Sequence, residues 1–188
     1  MKLRTLLDYG IVAVVAVVLA LLIQAYVVKP YSIPSGSMLG TLRPGDRVLV
    51  NRLAYHLRDP HRGDVIVFKY PRNPRVAFIK RVVGVPGDVL EVHGGRLYVD
   101  GRPLNEPYVH RTNGSSDPTD PAGPLAGTTM SPPWSLTRPF TVPRSSYFVM
   151  GDNRTDSDDS RDWGVVPRAD VIGEGLVKYW PFSRWGVL

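Results

Sequence analysis

The chain has 188 residues, with 18 Gly, 18 Pro, no Cys and a formal net charge of +6. That length holds one domain of ordinary size, and the lack of cysteine excludes disulfides, thiolate nucleophiles and cysteine-held zinc. The basic residues are scattered (Arg43, Arg47, Arg52, Arg58, Arg62, Lys69, Arg72, Arg75) rather than gathered on one helix, which disfavours nucleic acid and suits an anionic lipid surface.

Lys2 and Arg4 precede Asp8, and from Tyr9 to Val28 the chain is apolar apart from Gln24. A membrane-spanning helix needs about 20 such residues, and a cleaved signal has an apolar region of only about 7–15. The expectation is an uncleaved transmembrane signal anchor over 9–29, with residues 1–8 as a short cytoplasmic N-terminus. Positive charges in short flanking segments stay inside, so residues 30–188 are expected outside, in a single-pass arrangement.

After the apolar run comes a segment rich in hydroxyls and glycine, Tyr31-Ser-Ile-Pro-Ser-Gly-Ser-Met-Leu-Gly-Thr-Leu42. Strand patterns follow: Arg47–Val50, Val65–Tyr70, Val76–Val83 and the pair Val89–Val92 and Arg96–Val99, which reads as a hairpin around Gly94-Gly95. Turn chemistry separates them (Arg43-Pro-Gly-Asp46, Arg62-Gly-Asp64, Pro86-Gly-Asp88). From about 102 to 145 periodicity is lost and Pro, Gly, Ser and Thr dominate, so this stretch reads as a loop-rich insertion. Strands resume at Tyr147–Met150 and Val171–Trp180, flanking an acidic loop that runs to Trp163. The fold expected is mainly β: an antiparallel, barrel-like catalytic domain behind an N-terminal transmembrane helix.

A serine hydroxyl needs a partner that takes its proton. His56, His61, His93 and His110 lie in turns or loops, and none has a recognisable acid partner. A lysine can serve when burial disfavours its charged form, whereas arginine cannot lose its proton. Lys80 is the lysine inside an apolar strand, sharing a face with Val76, Phe78 and Val82. The other face (Ala77, Ile79, Arg81, Val83) is apolar as well, so periodicity alone leaves Lys80 and Arg81 unresolved. Composition equally leaves Ser32, Ser35 and Ser37 open as nucleophile.

Four blocks in order resemble the type I signal peptidases, membrane-anchored Ser/Lys proteases that remove signal peptides from exported proteins. They are Pro34-Ser-Gly-Ser-Met38 with Thr41-Leu42, Arg62-Gly-Asp-Val-Ile-Val-Phe68, Phe78-Ile-Lys-Arg-Val-Val-Gly-Val-Pro-Gly-Asp88, and Gly151-Asp-Asn-Arg-Thr-Asp-Ser-Asp-Asp-Ser-Arg161 followed by Trp163-Gly164. The resemblance implies Ser37 as nucleophile, Lys80 as general base and Ser35 as an oxyanion-hole donor beside the Ser37 N–H. It implies Ser157 as the hydroxyl that orients the lysine, with Asp159 and Arg161 as a supporting ion pair. A substrate strand would lie beside Tyr31–Pro34 and Phe78–Ile79, with Ile33, Leu42 and Ile79 walling pockets for small side chains. Where the family's nucleophile box usually has proline this chain has Gly40, which loosens the turn that proline would fix.

Asp152, Asp156, Asp158, Asp159 and Asp162 invite a calcium reading, but a loop begun at Asp156 has Arg161 in the glycine position and Pro167 in place of the distal Glu. No metal and no cofactor are expected. The partners implied are preproteins with Ala-x-Ala cleavage sites and the lipid bilayer, for a monomer in the bacterial cytoplasmic membrane. Trp134, Phe140, Trp180, Phe182 and Trp185 supply aromatic surface suited to the membrane interface. Two alternatives stand beside this reading: a Ser/Lys peptidase specialised for a pilin or conjugation factor, and an inactive membrane-anchored β binding module.

Overall fold

The computed structural model describes residues 3–22, 27–110, 136 and 138–188. Helix α1 covers Leu3–Leu22, and its side chains from Tyr9 to Val18 are exposed. Among the described residues no helix is long and apolar enough to cross a membrane. The expected span ran to residue 29, but Val28 and Lys29 belong to strand β1 (Val28–Ser32), and residues 23–26 lie outside the described ones. The apolar part of α1, Tyr9–Leu22, rises ~21 Å at about 1.5 Å per residue, against a hydrocarbon core of about 30 Å.

The rest of the chain is antiparallel sheet. β2 (Arg47–Asn51), the short helix α2 (Ala54–Leu57), β3 (Val65–Tyr70) and β4 (Asn73–Gly84) follow β1. Next come β5 (Val89–His93), β6 (Arg96–Val99) and β7 (Arg102–Pro103), then β8 (Phe140–Thr141), β9 (Ser146–Met150) and the one-turn α3 (Ser160–Trp163). β10 (Val166–Pro167), β11 (Val171–Trp180) and β12 (Gly186–Val187) complete the fold. The larger sheet runs β1-β2-β11-β3-β4-β9-β10, with β12 beside β11, and the smaller runs β7-β6-β5-β8.

The predicted strands are all present, and β4 begins three residues earlier than expected. The expected insertion at about 102–145 includes ordered sheet at both ends. Its ends form β7 and β8, and Leu136 and Val142 are buried with Leu90, Leu97 and Phe148 under the smaller sheet. Apolar side chains there gain more from burial than an exposed loop would give them. Trp134 lies outside the described residues, and Phe140 packs on Phe148 at 5.7 Å instead of facing a membrane.

Three strands separate β1 from β4 in the sheet order, yet Tyr31–Ser37 and Val76–Lys80 line one cavity. The sheet therefore curls until its β1 edge faces β4, the right-handed twist of strands carried through a strongly bent sheet. Beneath this curl lies a core of Ile33, Met38, Leu42, Val48, Val50, Val65 and Val67. That core fixes where the chain after β1 can turn.

Candidate active site

The Ser37 turn is anchored at both ends. Ile33 N–H donates to the Asp46 carbonyl and Gly45 N–H to the Ile33 carbonyl, both at 2.9 Å, closing the loop over the core. Met38 is fully buried, and its carbonyl accepts from Thr41 N–H (3.1 Å) and Leu42 N–H (2.7 Å). With Ile33 and Met38 buried and Ser35 exposed between them, Ser37 faces the cavity mouth at 8 % exposure. Ser35 Oγ lies 3.4 Å from Ser37 Oγ.

Lys80 is 4 % exposed, and its Nζ donates to Ser37 Oγ at 2.7 Å. Burial pushes its pKa down, opposed by the carboxylates of Asp159, Asp158 and Asp152 and reinforced by the Arg161 charge. The neighbouring Arg81 has an opposite fate. Its Nε and Nη2 clasp Asp152 at 2.9 and 2.7 Å, Nη1 donates to the Gly63 carbonyl at 2.8 Å, and Nη2 also reaches Thr41 Oγ1 at 3.1 Å. Both faces of β4 enter the interior here, which is why periodicity alone did not separate the two residues. Arg81 is a structural cation bonded through all three of its nitrogens, and Lys80 points its amine at a hydroxyl.

The loop 151–161 holds the two parts together. Asn153 N–H donates to the Ser37 carbonyl at 3.0 Å, and its side-chain amide to the Gly36 carbonyl at 3.1 Å. Gly151 cannot carry a side chain, because a Cβ there would run into Ser157 Oγ and the Ser37 carbonyl. Asp159 and Arg161 form the expected ion pair, bidentate at 2.9 Å and almost fully buried. Burial alone would raise the pKa of Asp159, but the Arg161 charge and the Gly151 N–H hold it below the usual carboxylate range. Asp159 also caps α3, accepting from Arg161 N–H while Asp162 accepts from Asp159 N–H.

Ser157 departs from its expected role. It is buried, but its hydroxyl makes no hydrogen bond to Lys80 and stands by the Asp159 carboxyl, whose pKa it helps hold down, so it does not orient Lys80 here. The amine is already engaged by Ser37, and Ser157 Oγ packs against the Gly151 backbone. Among the described residues no group of three His, Asp or Glu could hold a metal ion. Asp152 and Asp159 are each clasped by an arginine instead.

The cavity beside Ser37 and Lys80 is about 370 Å³. Tyr31, Ile33, Pro34, Phe78 and Ile79 line it as expected, whereas Leu42 does not. Leu42 is fully buried in the core under the turn, where its side chain packs rather than walls a pocket. Val67, Val76, Ala77, Asp156 and Asp158 line it too and were missed as site residues. The two aspartates could have been found, since they flank Ser157 in the matching block. β9 pairs with β4 only from Arg81 onward, so among the described residues the Asn73–Lys80 portion of β4 has one open edge along the cavity.

Gly40 adopts φ +101°, a region closed to proline, whose φ is fixed near −65°. Its departure from the family pattern is thus a different backbone path and not only a looser one. The turn here is shaped to meet the Tyr108 carbonyl and His110.

The sequence profile of the family described as signal peptidase, peptidase S26, matches residues 6–180. The chain is 41 % identical over 181 residues to a probable signal peptidase I-1 of Synechocystis sp., covering 93 % of this chain and 82 % of the relative. It is 42 % identical over 181 residues to a signal peptidase I of Leptolyngbya laminosa (92 % and 79 % covered). With a signal peptidase I of Pseudomonas aeruginosa it shares 36 % identity over 225 residues (97 % and 79 % covered). A match over nearly the whole chain, on residues that build one buried serine–lysine pair, places it: the chain belongs to the signal peptidase family, peptidase S26, a family of serine endopeptidases.

Proposed function

We propose that this protein is a membrane-anchored endopeptidase that removes signal peptides from exported preproteins, with Ser37 as nucleophile and Lys80 as general base. The observation that carries the reading is the 2.7 Å contact between a buried lysine amine and a serine hydroxyl at a cavity mouth. With Lys80 neutral, the hydrogen bond reverses and Nζ accepts the Ser37 proton as Oγ attacks the scissile carbonyl. The Ser37 N–H and the Ser35 hydroxyl receive the oxyanion, a contribution of about 10²–10³ in rate for one such donor. The tetrahedral intermediate collapses, and the Lys80 ammonium returns its proton to the departing amine, leaving an ester on Ser37. Neutral Lys80 next takes a proton from water, and hydrolysis of the ester frees the cleaved signal peptide.

The open edge of β4 and the β1 edge offer two backbones against which an extended substrate pairs. The mostly apolar wall of Ile33, Val67, Val76 and Ile79 suits the small side chains of an Ala-x-Ala site. The apolar run begun in α1 anchors the chain in the bacterial cytoplasmic membrane, with the sheet domain outside and the lipid surface as its second partner. Ser157 takes its place as the lysine-orienting hydroxyl once acylation of Ser37 ends the Lys80–Ser37 bond.

Incubating native protein, Ser37→Ala and Lys80→Arg with a preprotein bearing an Ala-x-Ala site tests this. Cleavage by the native chain alone is expected, with Lys80→Arg folded and inactive because arginine stays protonated. Cleavage by Ser37→Ala would falsify the nucleophile.

A further inference from the structure

The stretch from Glu106 to His110 follows β7 and reaches all three parts of the site. His110 N–H donates to the Asp152 carbonyl at 2.8 Å. The Tyr108 carbonyl packs so closely on Gly40 that an added Cβ would stand 2.9 Å from it. The Arg81 guanidinium carbon sits 4.0 Å from the Tyr108 ring centroid. Tyr108 OH donates to Glu106 at 3.2 Å, Glu106 is ion-paired with the buried Arg154, and Arg154 Nε donates to the Gly151 carbonyl at 2.9 Å.

These contacts matter because of what Arg81 holds. Its in-plane donors go to Asp152, Gly63 and Thr41, and Thr41 closes the turn that carries Ser37. A guanidinium bonded in its plane is steered by whatever covers its face, and the negative face of an aromatic ring suits it. Gly40 leaves this turn without the stiffness of a proline, so support must come from outside the turn.

We propose that Tyr108, backed by Glu106, is a positioning residue for peptide cleavage. Its ring fixes the Arg81 guanidinium, and through Arg81 the Thr41 and Asp152 contacts keep Ser37 aligned with Lys80. The inference rests on the serine–lysine reading given above. It assigns Tyr108 no contact with substrate, so its effect falls on the chemical step and not on binding.

The test is graded and leaves shape unchanged. Position 108 is filled with phenylalanine and then with its mono-, tri- and pentafluorinated analogues in the full chain, which strips negative potential from the ring face stepwise. Cleavage of an Ala-x-Ala preprotein is expected to slow progressively in kcat, by about 10-fold across the series, the rate equivalent of an ordinary cation–π contact. KM is expected to stay level and the thermal midpoint to fall by only the few degrees that one lost cation–π contact gives, whereas a merely structural ring would lower the midpoint with kcat unchanged. A flat kcat, or a rise in KM in place of the fall in kcat, overturns the role of Tyr108 and leaves the dyad standing. Ser37→Ala in the phenylalanine background separates the two readings, because cleavage that survives it overturns the dyad and the inference with it.

Discussion

Lys80 carries two opposed demands, since a buried amine costs stability while its lowered pKa makes it a usable base. Because burial depresses the folded pKa below that of the unfolded chain, the unfolded state binds more protons over the intervening range. The penalty is full below the folded pKa and fades as pH climbs toward the free-lysine value of about 10.4. Lys80→Met is therefore expected to stabilise the protein by about 1–2 kcal/mol while removing activity. In thermal melts across pH, the gain should be largest on the acid side and absent near pH 10. A gain that does not change with pH would contradict the buried-charge account. Asp158 lines the same cavity and its carboxylate favours the lysine cation, as do Asp159 and Asp152, with Arg161 opposing them. Asp158→Asn is expected to move the acid limb of the kcat/KM profile to lower pH, which a pH–rate series would measure.

At the scale of elements, the site is a β-strand and two turns locked by glycines. Gly40 at φ +101° and Gly151 against the Ser37 carbonyl each exclude a side chain for a different reason, backbone region in one case and space in the other. Gly40→Pro would restore the family's usual residue, yet it is expected to destabilise the turn by about 1–3 kcal/mol, because its φ is unreachable for proline. Gly151→Ala is expected to cost activity first, by forcing the Ser37 carbonyl and Ser157 apart. Denaturant midpoints and single-turnover cleavage rates distinguish these effects; unchanged single-turnover kinetics for Gly151→Ala would contradict the close approach.

For the molecule as a whole, three exposed aromatics of the described residues gather at one end of the larger sheet. Ser32 of β1 and Trp180 of β11 both pair with Arg47, which puts Trp180 beside the start of the Ser37 loop. Trp180, Phe182 and Trp185 are 45, 74 and 64 % exposed, a cluster suited to a lipid interface. A chain trimmed to begin at Val27, which keeps β1 whole, is expected to bind anionic vesicles. Replacing the three aromatics by serine should weaken sedimentation with those vesicles by at least ~10-fold. No association of the trimmed chain would remove these residues from membrane seating.

Local pattern was enough for the strands, since apolar runs, period-two alternation and Gly-Asp turns are written in neighbouring residues, as in the continuous apolar Val65–Phe68 and the alternating Val89–Val99 hairpin. It was also enough to separate lysine from arginine as a base, because protonation is a property of the side chain itself. Where β4 has both faces inside, pattern was silent on which side chain faces Ser37, and the three-dimensional partners of Lys80 and Arg81 decided that. Leu42 went to the core and Tyr108 to Arg81 because those destinations depend on chain segments tens of residues away. Sequence thus determined the chemistry available and the strands that bear it. Tertiary structure decided which groups meet, because burial, pairing and the shift in a lysine's pKa come from neighbours brought together by the curl of the sheet.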